Sequence, residues 1–148
     1  MMKYLSYSAF AILIVFNSCN KEAEPVEAEA PIIAVLSINP DTVVQFTDSV
    51  ILQIRYEDMN GDLGSPDPDI NDLEIKDSRL SGPDTYHIQP LAPAGYSLFI
   101  NGTLRIKLNT LFLLGNGNSE TAVFKVKLKD QAGNWSKEVS TDPVVIIR

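Results

Sequence analysis

The chain is poor in the residues that most enzymes and metal proteins depend on. It has one cysteine, one histidine and one tryptophan among 148 residues. A single Cys19 rules out an internal disulfide, and with one His it leaves too few soft ligands for a zinc site. Basic residues are also scarce, with 12 Lys and Arg against 19 Asp and Glu and a formal charge of −7. Nucleic acid needs a basic face, so it is excluded as a partner, as is direct adhesion to anionic lipid. No Gly-rich phosphate loop, Ser-His-Asp set or paired-His motif occurs. His87, on a weak strand pattern, reads as a surface or half-buried residue and not as a base. The chain reads as a non-enzyme.

No apolar run is long enough to cross a bilayer. The longest, Tyr4 to Phe16, has about 13 residues where a spanning helix needs ~20. It follows Met1-Met2-Lys3 and ends at Asn17-Ser18-Cys19, the layout of a signal peptide. The next stretch, Lys21 to Ala30, is rich in Glu, Ala and Pro without an aromatic, the composition of a flexible tether. Extended, its roughly ten residues reach at most ~36 Å. The expected organisation is a signal peptide over 1–18, Cys19 and an acidic tether over 19–31, and one folded domain over 32–148.

From Ile32 onward short β-type runs alternate with turn residues. Ser49–Glu57 is the clearest, with Val50, Leu52, Ile54 and Tyr56 facing one way and Gln53, Arg55 and Glu57 the other. Thr121–Lys129 alternates likewise, with Ala122, Phe124, Val126 and Leu128 inward. Other runs are Ile32–Ile38, Thr42–Phe46, Leu73–Arg79, Thr85–Gln89 and Val139–Arg148, the last broken at Asp142-Pro143. Asn101-Gly102 predicts a hairpin joining Tyr96–Ile100 to Thr103–Asn109. Leu111–Leu114 is either a loop tucked over one end of the core or an apolar binding patch. About seven strands and no amphipathic helix predict an all-β, immunoglobulin-like antiparallel β-sandwich, with a small barrel or jelly roll as the alternative.

Four motifs carry a family resemblance. Asn17-Ser18-Cys19 resembles a bacterial lipoprotein lipobox, which implies cleavage before Cys19 and lipidation of its sulfur, with acyl chains such as palmitate holding the chain to a membrane. Asn20-Lys21-Glu22-Ala23-Glu24 resembles the export signal of Bacteroidota surface lipoproteins, implying an outer-membrane, cell-surface location. Asp130-Gln131-Ala132-Gly133-Asn134-Trp135-Ser136 resembles the last hairpin of bacterial extracellular Ig-like and cadherin-like domains. Tyr56-Glu57-Asp58-Met59-Asn60-Gly61-Asp62-Leu63-Gly64 resembles a run found in small Bacteroidota lipoproteins. These resemblances imply a neighbourhood of proteins and name no protein or glycan partner.

The most acidic stretch, Tyr56 to Asp72, holds six carboxylates and no Lys or Arg. Asp58, Asn60 and Asp62 have the i, i+2, i+4 spacing that opens an EF-hand loop, but Gly61, Leu63 and Asp69 break the rest of that pattern. A calcium site of another kind stays open. If Ser49–Glu57 and Thr121–Lys129 are strands B and F of an Ig sandwich, the B–C and F–G loops share one end. Glu57, Asp58, Asp62, Asp130 and Asn134 would then converge as oxygen ligands for Ca2+. The competing reading has Asp130 and Asn134 capping their own turn and the acids solvated. Asp67, Asp69 and Asp72 read as a solvated connection. Strand A, antiparallel to B, would start at this same end, so the tether would leave beside the acids. The reading is a lipid-anchored structural or binding module of the cell envelope. Its alternative is an accessory carbohydrate- or ligand-binding lipoprotein that uses Tyr86, Tyr96, Phe99 and Trp135.

Overall fold

The computed structural model describes residues 30–109 and 111–148. The expected signal peptide, Cys19 and most of the expected tether lie outside the described residues. Those described form ten strands and no helix, and none of their segments is a helix long and apolar enough to cross a membrane.

One layer is the sheet β1 (Ile32–Asn39), β3 (Val50–Asp58) and β6 (Ile100–Leu108), antiparallel in the order β1-β3-β6. The alternation of β3 sets its register, because a one-residue slip would turn Leu52 and Ile54 out to water. Leu52 pairs with Ile106 and Ile38, and Ile54 with Leu104 and Val35. The register of β1 shifts between Val35 and Ser37, and Leu36 at that bulge is exposed.

The second layer is built from two hydrogen-bonded groups. In one, β4 (Leu73–Asp77) lies between β5 (Asp84–Tyr86) and β8 (Phe124–Leu128), with β9 (Val139–Ser140) beyond β8. In the other, β10 (Val144–Ile147) lies between β2 (Thr42–Val44) and β7 (Ser119–Ala122). Only Val123 separates β7 from β8, and Thr141–Pro143 separates β9 from β10. These breaks face each other. The Thr141 N–H donates to the Phe124 carbonyl at 2.9 Å, and Phe124 N–H donates to Thr141 Oγ1 at 3.1 Å. The hairpin is thus continuous, and the layer runs β2, β10 with β9, β7 with β8, β4, β5.

Both layers turn one face inward. Ile33, Leu52 and Ile54 from the first join Leu73, Val126 and Ile146 from the second in a single buried cluster. The protein is an all-β sandwich, as the alternating runs predict, and the strand count rises to ten because three long segments are each broken in two. The pairing of β2 with β10 is parallel, a departure from the all-antiparallel expectation.

The predicted hairpin at Asn101-Gly102 is absent. Both residues lie inside β6, paired with Glu57 and Tyr56. A type I′ turn needs positive φ at both positions, and neither has it. The glycine serves packing instead: a Cβ on Gly102 would sit 2.6 Å from the Tyr56 hydroxyl and 2.8 Å from its ring. Residues 96–99 form no strand. Leu111–Leu114 divides between the two readings given to it. Leu111 is in the core, while Phe112 is exposed and stacks on Phe46 with centroids 5.9 Å apart.

Candidate functional site

The core-facing row of β3 runs Val50, Leu52, Ile54 and Tyr56, and the same alternation carries it on to Asp58. The core-facing row of β8 runs Phe124, Val126 and Leu128, and continues to Asp130. Each row therefore ends in a carboxylate at the same end of the sandwich, and both are buried, at 2% and 1% exposure. The loops behind them are joined: Leu63 bridges Asp130, and the Gln131 N–H donates to the Asp62 carbonyl at 3.0 Å. The loop after β3 and the loop after β8 thus form one surface.

The first of these is a tight turn. Asp58 Oδ2 accepts the Asp62 N–H at 2.9 Å, closing a loop that passes Gly61 at φ 72°. A third segment clamps it: Leu98 N–H donates to the Asn60 carbonyl, Leu91 N–H to the Leu63 carbonyl, and Ser65 N–H to the Ile88 carbonyl. Gln131 Nε2 holds the Gly64 carbonyl at 2.7 Å. With these backbone groups tied on three sides, the turn is preorganised.

Its side chains are not satisfied to the same degree. Asp58 Oδ1, Asn60 Oδ1 and Asp62 Oδ1 are all buried and have no hydrogen-bond partner among the described residues. Burial pushes the Asp58 carboxyl above the ordinary aspartate range against the opposing Asp62 N–H bond, and the charges of Asp62 and Asp130 push the same way. Burial also raises Asp62, with Asp130 adding to it and the Ala132 N–H opposing. Asp58 and Asp62 are close enough for a hydrogen bond between their carboxyls.

Asp130 is different. Its Oδ1 accepts the Asn134 N–H at 2.7 Å, its Oδ2 accepts Asn134 Nδ2 at 2.9 Å, and its own N–H donates to the Asn134 carbonyl. Asp130 and Asn134 close their own turn around Gly133 at φ 93°. Glu57 faces the outer surface of its sheet, 3.5 Å from Arg55. Of the five residues expected to converge, the structure brings Asp58 and Asp62 together, puts Asp130 and Asn134 beside them already engaged with each other, and leaves Glu57 on the opposite face. Strand alternation explains the last point, since neighbours in a strand point to opposite sides. Asn60 is the addition. Its i+2 place between Asp58 and Asp62 was the signal for it.

Asp72 is not part of a solvated connection. It is 2% exposed, with its N–H donating to the Tyr86 carbonyl and its carbonyl accepting from Lys129. These backbone bonds carry the β5-β4-β8 ladder one residue past β4 and seat the side chain inside. Burial pushes the carboxyl up, and the charges of Lys129 and His87 offset this only in part. A carboxyl raised in the folded state favours the folded protein below its ordinary range, and that advantage is lost as pH rises through the folded value. Asp72→Asn removes the dependence. Urea unfolding at acidic and at neutral pH should therefore show the variant gaining stability relative to wild type as pH rises; a constant difference would contradict this.

An open hollow of ≈ 470 Å³ adjoins the turn, and its lining includes Asn60, Asp62, Pro66, Tyr96 and Gln131. Tyr96 is 70% exposed and Phe99 48%. Trp135 is half-buried beneath Lys127 and Lys129, whose Nζ atoms lie 4.6 and 5.3 Å from the ring centre. Among the described residues no three His, Cys, Asp or Glu side chains converge on a common metal position.

Comparison with known proteins does not extend this picture. No family model, curated protein or solved structure matches the chain.

Proposed function

We propose that the chain is a non-catalytic, lipid-anchored domain of the bacterial cell envelope, a structural or binding module held to the outer membrane, and to the cell surface, through Cys19. The observation that carries this reading is where the folded domain begins. Ile32, the first residue of β1, pairs with Glu57 at the end of β3, so the chain before it departs from the end that holds the paired acids. A tether of some ten residues from a lipidated Cys19 would set that end toward the membrane.

The hollow beside the turn is lined largely by prolines, alanines and two glycines. Metabolic labelling with an alkynyl palmitate in the expressing bacterium tests the anchor. The wild-type chain should carry label and sediment with the outer membrane, and Cys19→Ala should lose both. Protease treatment of intact cells should remove the chain if it faces outward. An unlabelled wild-type chain in the soluble fraction would sink the proposal.

Tyr96 favours a second reading, that of an accessory carbohydrate- or ligand-binding lipoprotein. An exposed tyrosine at the lip of a polar hollow is a place for a sugar ring to stack. Tyr86 packs against the core and Trp135 is half-buried, so a platform would rest on Tyr96 and Phe99 alone. A glycan array probed with the detergent-solubilised chain tests this reading, and no binding above background would dismiss it.

A further inference from the structure

We infer that the Asp58–Asp62 turn is a hard divalent-cation site of the calcium type, with Asp58 Oδ1, Asn60 Oδ1 and Asp62 Oδ1 as its protein ligands and water completing the shell. The inference concerns the folded domain and does not depend on lipid anchorage.

Three acceptor oxygens from positions i, i+2 and i+4 are buried in one turn, and none has a donor among the described residues. A buried acceptor without a partner is costly, and a buried unpaired charge more so. Two of the three belong to carboxylates that face one another. Such an arrangement calls for a cation. Among the described residues, Arg55, Arg79, Lys125, Lys127 and Lys129 form ion pairs with other acids. A metal ion is the group that fits.

The ligand chemistry selects which ion. The ligands are oxygens only, with neither imidazole nor thiolate beside them among the described residues, which suits a hard cation and not zinc or copper. Calcium accepts irregular oxygen shells at about 2.3–2.6 Å, whereas magnesium demands near-ideal octahedral geometry. Only two carboxylates contribute, and the third ligand is a neutral amide. Low ligand charge places the affinity at the weak end for calcium proteins, on the order of 10⁻⁴–10⁻³ M.

The surroundings support the ligands without joining them. Asp130 spends both oxygens on Asn134, so it adds negative field and leaves coordination to the turn. Asp58 Oδ2 holds the Asp62 N–H, leaving Oδ1 for the ion. Asn60 and Asp62 line the open hollow, which gives an ion and its waters a route from solvent.

Isothermal titration of the full chain with calcium chloride, and separately with magnesium chloride, tests the site. Wild type should bind one calcium ion at roughly millimolar strength, and magnesium more weakly. Asn60→Ala and Asp58→Asn should each weaken calcium binding by tenfold or more, while the remote, exposed Glu138→Gln leaves it unchanged. Far-UV circular dichroism checks that each variant is folded, and the wild-type titration decides the matter even where a variant is not. An absence of saturable calcium binding by wild type would overturn the inference, because the facing carboxyls would then be sharing a proton. So would an unchanged affinity in folded Asn60→Ala, or equal affinity for magnesium.

Discussion

Replacing the buried loop residue Gly64 with alanine is expected to destabilise the domain by about 3–5 kcal/mol, among the larger effects of a single substitution. Two costs combine. Gly64 sits at φ 80°, where an L-residue with a Cβ is strained by roughly 1–2 kcal/mol. The Cβ itself would meet backbone: the Gln89 carbonyl oxygen at 2.3 Å, its carbon at 2.7 Å and the Ile88 oxygen at 2.9 Å. Neither strand of chain can yield without breaking the bonds that join them, Ser65 N–H to Ile88 and Leu91 N–H to Leu63. Each such bond contributes about 0.5–1.5 kcal/mol, and more where a buried group is left unpaired. Denaturant unfolding should show the loss. A glycine at an open position provides the control, because a Cβ on Gly82 would meet nothing within 4 Å; Gly82→Ala should stay within about 0.5 kcal/mol of wild type.

Truncating Leu52 to alanine should cost about 2–5 kcal/mol. Leu52 is fully buried in the middle strand of its sheet, flanked by Ile38 on one side and Ile106 on the other. Its loss removes transfer energy and leaves a cavity between two layers that both strands and cross-layer neighbours hold apart. Leu36, at the bulge of β1 and 52% exposed, offers the comparison within the same sheet. Leu36→Ala should change stability little, as expected for a surface side chain. Equal losses at the two positions would contradict the register described for β1.

Much of this architecture was legible because local patterns and tertiary demands agree. The alternation over Val50–Tyr56 fixes which side chains of β3 face inward, and the breaks at Pro40 and Asp142-Pro143 mark where segments divide. Asn101-Gly102 was misread because its turn signal is local while its role is set across the sheet. The glycine is there for the ring of Tyr56, more than forty residues earlier in sequence. The parallel pairing of β2 with β10 joins the two ends of the domain, and no local pattern announces a contact of that range. The split of β7 from β8 at Val123 is equally silent in the sequence.

The candidate site was readable in outline but not in its ligand set, which was expected to include Glu57, Asp130 and Asn134 and to omit Asn60. Placing the loops after β3 and β8 at one end requires only the sandwich topology and the identity of two strands. Choosing ligands requires the alternation to be carried one residue further. Tyr56 faces inward, so Asp58 does as well, and Glu57 between them faces Arg55 on the outer surface. Asn60 was visible as the middle of the i, i+2, i+4 set. Its importance follows from burial, which puts its side-chain oxygen beside two carboxylates with no donor to meet it. Asp72, by contrast, shows no sequence sign of burial, because backbone bonds to Tyr86 and Lys129 seat it.

The account turns on the claim that the Asp58–Asp62 turn, at this end of the sandwich, is built to hold a cation. Thermal unfolding of the full chain in millimolar calcium and in chelator tests it most directly. Calcium at tenfold its dissociation constant should stabilise the fold by about 1.4 kcal/mol, enough to raise the midpoint by several degrees. Asp58→Asn, which removes one ligand charge and weakens binding tenfold or more, should cut that rise to about a third or less. A wild-type midpoint that is the same in calcium and in chelator would contradict the claim.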